Sequence, residues 1–311
     1  MDFTPYLQQN ILRFYGGGNG NKRAIRLDDG IYMLKFPPVK NRGTLHYTNG
    51  CISEYVACHV METLGLSVQR TKLGTVYQNG KEKIVVACKD FCTDGYRLFE
   101  FSMIKNNCLE SSQQGQGTEL HEILAAIEEQ RQLPPQMVKE FFWDQFIADT
   151  LCGNFDRHNG NWGFLINEEK GTAKLAPIYD CGSCLYPQLA DEAMQDILAN
   201  PKEIDSRVYQ FPTSQIKVND KKINPYNFLM AQENPDCIEA LFRIVPRVDI
   251  ESIRTVIEQT PYISSVRKTF YQTMLEQRYE KILLPAYELA TERQAENTWE
   301  AETDLEDDFE L

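Results

Sequence analysis

The chain has 311 residues and carries 45 acidic side chains against 32 basic ones, a formal charge of -13. That balance argues against a surface built to hold nucleic acid. Glu296, Glu300, Glu302, Asp304, Glu306, Asp307, Asp308 and Glu310 crowd the last sixteen positions without a Lys or Arg, which leaves -5 for residues 1–295.

So acidic a run, poor in anchoring apolar residues, predicts a disordered, solvated tail over 294–311. Trp299, Leu305 and Phe309 are the anchors it would offer a basic partner instead. An apolar fraction of 42% suffices for a substantial core. No apolar run reaches the roughly 18–20 residues that span a bilayer, and MDFTPYLQQN lacks the blocks of a signal peptide, so the expected compartment is the cytoplasm. Nine cysteines, an odd number, fit reduced thiols. Cys181 and Cys184 have C-x-x-C spacing but no second pair or adjacent His, so a structural role is favoured over a metal or redox one.

In chain order, residues 1–92 read as a strand-rich unit. Strands are predicted over 10–15 and 22–27, flanking Gly16, Gly17, Gly18 and Gly20, and over 31–36 after the turn Asp28-Asp29-Gly30. Apolar spacing of three and four predicts a helix over 51–64, with Gly65 as its C-terminal cap. Strands over 71–77 and 82–88 are joined by Asn79-Gly80, a strong hairpin signal. Residues 93–293 read as mostly helical, with helices near 118–130, 136–151, 188–199, 235–244, 249–259 and 263–283. Between them, short apolar runs at 162–166 and 173–178 predict a hairpin ending at Asp180.

The stretch Asn154-Phe155-Asp156-Arg157-His158-Asn159-Gly160-Asn161 sets a carboxylate and a carboxamide five residues apart, between a buried helix and that hairpin. Phosphoryl transfer needs a carboxylate to accept the proton of the attacking hydroxyl and hard oxygens to hold Mg²⁺ on the phosphates. Asp156 suits the first role; Asn161 and Asp180 suit the second. In isolation such residues are common in turns. The order of parts changes the reading: glycine loop, Lys35 on a strand, Glu54 in the next helix, hairpin, helical part, then the Asp156 loop and Asp180, which is the order of a kinase. Lys35, among apolar neighbours, needs a counter-charge, and Glu54 is the natural one. The glycine cluster is neither a Walker A loop nor G-x-G-x-x-G, because Asn21 precedes Lys22 and occupies the third glycine position. Its bare amides and Lys22 can still wrap phosphate.

The N-F-D-R-H-N-G-N stretch, Y-D-C-G downstream and the G-G-G-N-G-N-K loop resemble the HipA-like serine/threonine kinases over residues 14–284. The resemblance implies an α+β, bilobed protein-kinase-like fold: a small antiparallel-sheet N-lobe with one helix over 1–92 and a larger, mostly helical C-lobe over 93–293. It implies ATP and Mg²⁺ as cofactors, a protein substrate, Asp156 as the catalytic residue, and Asn161 and Asp180 as metal ligands. It puts Gly16, Gly17, Gly18, Gly20, Lys22, Lys35 and Glu54 around the phosphates and Lys89 and Phe91 in the hinge that meets adenine. His158 either approaches the nucleotide or orders its loop. The family's antitoxin-contacting subdomain has no counterpart in the ten or so residues before the first strand, which argues against an antitoxin partner. Tyr15 stands where family members carry an autophosphorylated serine, leaving Thr44, Tyr47, Thr48 and Ser53 as other acceptors. Two rivals remain: a phosphatidylinositol-like lipid or small-molecule kinase, disfavoured because no cluster of four Lys/Arg is present to meet an anionic membrane, and a nucleotide-binding scaffold.

Overall fold

The computed structural model describes residues 1–15, 22–38, 48–109 and 114–307, with side chains up to residue 296. The glycine cluster, Thr44 and Tyr47 lie outside these residues. Strands β1 (Lys22–Leu27), β2 (Gly30–Lys35), β3 (Thr71–Gln78) and β4 (Lys81–Lys89) form an antiparallel sheet in the order β1-β2-β4-β3. Alternation along the strands divides its two faces. Val85 and Ala87 join Tyr32, Leu34, Ile25 and Phe3 on one face, while Val86 and Cys88 face the larger core that includes helix α1 (Gly50–Thr63). Asn79 and Gly80, both at positive φ, turn β3 into β4 as the hairpin signal predicts.

No strand forms over 10–15. Leu12 and Phe14 are 85% and 91% exposed, and the segment is tied down by side chains in place of a backbone ladder. Arg13 pairs with Asp90 at 2.7 Å, and the Tyr15 hydroxyl donates to the same carboxylate at 2.9 Å. The segment entering the glycine cluster is thus bound to the residues just beyond β4. Lys35 accordingly lies on the second strand of the sheet, not the third.

A second sheet, β5 (Arg97–Glu100), β6 (Gly163–Asn167) and β7 (Thr172–Leu175), is antiparallel in the order β5-β6-β7. Around it pack α2 (Phe101–Cys108), α3 (Leu120–Glu129) and α4 (Pro135–Cys152). Residues on all sides of α4, from Val138 through Trp143 and Phe146 to Leu151, are buried. Then come α5 (Asp191–Leu198), α6 (Pro201–Tyr209), the small ribbon β8 (Lys217–Val218) and β9 (Lys221–Lys222), and α7 (Pro225–Ala231). The remainder is α8 (Pro235–Ile244), α9 (Ile250–Gln259) and α10 (Ser265–Arg278). Helices α6, α7 and α8 open alike: Asn200, Asn224 and Asn234 each accept a backbone N–H of the first turn, followed by Pro at the first helical position, where its missing donor costs nothing. The expected helix over 263–283 ends early: a π turn, Tyr279–Leu283, comes just before Pro285 in α11 (Leu284–Asp307). A proline lacks the N–H that α-helical bonding needs, so the wider turn falls where the ladder is already broken. Beyond residue 294 the backbone continues as helix to Asp307.

One close approach matters near the site. Gly115 has φ +74, and a Cβ there would lie 1.9 Å from the Ser102 carbonyl oxygen. Gly115→Ala should cost roughly 1–3 kcal/mol in urea unfolding, because the backbone conformation and the contact both oppose a side chain. An unchanged unfolding midpoint would contradict this packing.

Candidate active site

Lys35 ends β2, where alternation turns Tyr32 and Leu34 to one face and Met33 and Lys35 to the other. On that face α1 presents Glu54, which is 2% exposed. The Lys35 ammonium donates to Glu54 Oε1 at 2.7 Å and Oε2 at 2.9 Å, as the sequence predicts, and also to Asp180 Oδ1 at 2.9 Å. Burial opposes the lysine's charge, but the two carboxylates outweigh it and hold Lys35 well above its ordinary range. Lys35 in turn holds Asp180 down at about 2, so that side chain is ionised at neutral pH. Burial raises Glu54, with Lys35 pulling against it. Asp180 itself sits at φ +56, a conformation uncommon outside glycine and characteristic of functional turns.

Removing the ammonium would leave Glu54 buried without its counter-charge. Lys35→Met should therefore lower stability by about 1–3 kcal/mol, and adding Glu54→Gln should recover most of the loss. Equilibrium unfolding of the single and double variants checks this; no recovery in the double variant would refute the pairing.

The loop carrying Asp156 is built from α4 outward. Gly153 caps that helix at φ +63, its N–H donating to the Asp149 carbonyl. Asn154 then links the helix to the loop: its Nδ2 donates to Asp149 Oδ1 at 2.8 Å, and its Oδ1 accepts the Asp156 N–H at 3.1 Å. Asn161 Nδ2 donates to the Asp156 carbonyl at 2.9 Å, leaving its own side-chain oxygen unengaged among the described residues. Arg157 was part of the motif, but its role was not legible from spacing. Its Nε and Nη2 meet the two Asp149 oxygens at 2.8 and 3.1 Å, while Nη1 donates to the carbonyls of Asn161 at 2.7 Å and Tyr179 at 2.5 Å. One guanidinium thus fixes Asn161 and the residue before Asp180 to the same point. Burial opposes its charge, but Asp149 keeps Arg157 well above the ordinary range. The available signal was Asp149 itself, an acid among the apolar residues of the last turns of α4 that needed a partner.

His158 Nδ1 accepts the Gly160 N–H at 3.0 Å, so this ring nitrogen orders the loop. Asn159, unassigned in the sequence, donates to the carbonyls of Gly115 at 2.9 Å and Gly117 at 2.8 Å. The Cys181 and Cys184 thiols are buried and free, and among the described residues no group of His, Cys, Asp and Glu is assembled to hold a metal ion by itself. Asp180 and Asn161 nevertheless offer the hard oxygens that suit Mg²⁺, which takes few protein ligands and completes its shell with phosphate and water.

On the opposite side, Lys22 stands directly across the β1–β2 ladder from Lys35, and burial followed by Lys35 lowers its ammonium. In the segment expected to be the hinge, the Lys89 N–H donates to the Arg70 carbonyl at 2.8 Å, and its carbonyl accepts from Gln69 at 3.0 Å. The Asp90 N–H is bonded to the Ile31 carbonyl. Among the described residues, the Asp90 carbonyl and the Phe91 N–H and carbonyl are left unengaged, and the Phe91 ring packs against Tyr179 at 5.6 Å. Of the other acceptors considered, Ser53 is fully buried in α1.

The model of the HipA-like C-terminal domain matches residues 16–237, which includes Lys35, Glu54, Asp156 and Asp180. The chain belongs to the HipA-like family. A relative, the serine/threonine-protein kinase CtkA of Helicobacter pylori, is 49% identical over 94% of this chain and 89% of its own length. The crystal structure of a Helicobacter pylori proinflammatory kinase CtkA superposes with a TM-score of 0.87 at 48% identity, covering 94% of this chain and 99% of that one. The HipA of a Shewanella oneidensis toxin–antitoxin complex with HipB and operator DNA shares the fold at a TM-score of 0.54 and 14% identity, over 91% of this chain and 68% of that one. Among the described residues no helix is long and apolar enough to cross a membrane.

Proposed function

We propose that the chain is an ATP- and Mg²⁺-dependent protein kinase that transfers the γ-phosphate to Ser/Thr hydroxyls, itself included. In this reading the sheet with α1 and the helical remainder are two lobes that hold the nucleotide between them. The observation that carries it is Lys35 bridging Glu54 and Asp180, which brings residues 19 and 145 positions away onto one ammonium. Lys22, directly across the β1–β2 ladder from Lys35, supports it further by setting a second lysine at the same end of the sheet.

Lys35 orients the phosphates, and Asn161 and Asp180 would hold Mg²⁺, which offsets phosphate charge when bound. Asp156 takes the proton of the acceptor hydroxyl as its oxygen bonds to the γ-phosphorus and the bond to the bridging oxygen breaks. The free backbone groups of Asp90 and Phe91 face adenine. Kinship with a relative named as a serine/threonine-protein kinase at 49% identity supports the acceptor class. Incubating the chain with ATP, Mg²⁺ and a Ser/Thr peptide library should add phosphate to peptide and protein, and EDTA or Asp180→Asn should abolish it. Transfer to phosphoinositide vesicles alone, or to nothing, would overturn the reading.

A further inference from the structure

We propose that Gln215 is the positioning residue of the phosphoacceptor side: its amide holds one oxygen of Asp156 so that the other faces the incoming hydroxyl. This rests on the reading of Asp156 as the proton acceptor. Gln215 Nε2 donates to Asp156 Oδ1 at 3.3 Å across 59 residues of sequence, and among the described residues Oδ2 has no partner. A carboxylate free to rotate presents either oxygen; one tethered through Oδ1 presents Oδ2 in a fixed direction, which is what proton transfer from a positioned hydroxyl requires.

The tether is itself held. The Thr118 hydroxyl donates to the Gln215 carbonyl at 2.7 Å, and the Thr118 carbonyl accepts from the Lys217 N–H at 2.8 Å. Next to Thr118, the Gly117 carbonyl accepts from Asn159 of the Asp156 loop at 2.8 Å. On the other flank the Ser214 N–H donates to the Ile223 carbonyl at 2.9 Å, and Ile216 is 4% exposed. The path from Asp156 through Gln215, Thr118 and Gly117 to Asn159 closes on the same loop it began from. Gln215 therefore meets Asp156 with its backbone already ordered.

The test is steady-state transfer to a Ser/Thr peptide by the full chain carrying Gln215→Ala or Gln215→Glu, with Asp156→Asn beside them. Gln215→Ala should lower kcat about tenfold while KM for ATP stays within about twofold, as expected for an interaction that aids chemistry and not nucleotide binding. Gln215→Glu keeps the size of the side chain but sets a second carboxylate against Asp156. Two such groups resist ionising together, so the acidic limb of the pH–rate profile should move up by about one pH unit. Gln215→Ala adds no charge, so a fall in kcat with KM for ATP unchanged in that variant is the readout that packing alone would not give. If Asp156→Asn is inactive while both Gln215 variants keep the parent kcat and pH profile, or change only KM for ATP, the positioning role is wrong and the base assignment survives. If Asp156→Asn is as active as the parent, the base assignment fails and the positioning role falls with it.

Discussion

Asp156→Asn is expected to lower kcat for phosphoryl transfer by about 10²–10⁴-fold, the range that a positioned general base contributes. Asparagine has the same shape, and what fixes the loop here is backbone: the Asp156 N–H bonds to Asn154 and its carbonyl to Asn161. Those contacts survive the change. The variant should thus melt within a few degrees of the parent and show the same thermal shift with ATP and Mg²⁺, so that the loss is confined to the chemical step. Single-turnover transfer with saturating ATP reads the step directly. A rate within about threefold of the parent would remove Asp156 from the reaction.

Arg157→Met is expected to be the most damaging single change to stability near the site, at about 3–5 kcal/mol, because it strands a buried carboxylate. Arg157 and Asp149 are each only 7% exposed, and the guanidinium also satisfies the carbonyls of Asn161 and Tyr179. The double variant Arg157→Met with Asp149→Leu should recover a large part of that loss, since no unpaired charge remains, yet it should not regain activity, since nothing then ties Asn161 to the segment before Asp180. Urea unfolding of the set separates these effects. A single-variant cost below about 1 kcal/mol would show that the pair contributes no more than a surface ion pair.

How far the sequence could be read depended on whether a residue's partner was local. Lys35 and Glu54 were legible because a charge on an apolar strand and an acid early in the next helix imply each other. The Asn79-Gly80 turn and the helix ahead of Asp156 were legible because turn chemistry and apolar spacing are short-range. The strand expected over 10–15 was not, since a short apolar-rich run beside a glycine cluster shows that a segment can pair and not that an edge is offered to it; Asp90 captured Arg13 and Tyr15 instead. Helix α6 carried its Asn-Pro start signal in plain view, but its charged face hid it among loop residues. Gln215 left no trace, because its role depends on a contact 59 positions away.

The position of Lys35 between two carboxylates has an energetic consequence for ligand order. In the kinase reading, a phosphate that draws the ammonium from Asp180 frees that oxygen for a cation, and a cation that claims Asp180 frees the ammonium for phosphate. Nucleotide and divalent ion are then coupled ligands, each raising the affinity for the other by the same factor. With the ion scarce, the lysine and the aspartate neutralise one another, so the resting protein holds its two reactive charges in mutual custody until both ligands arrive.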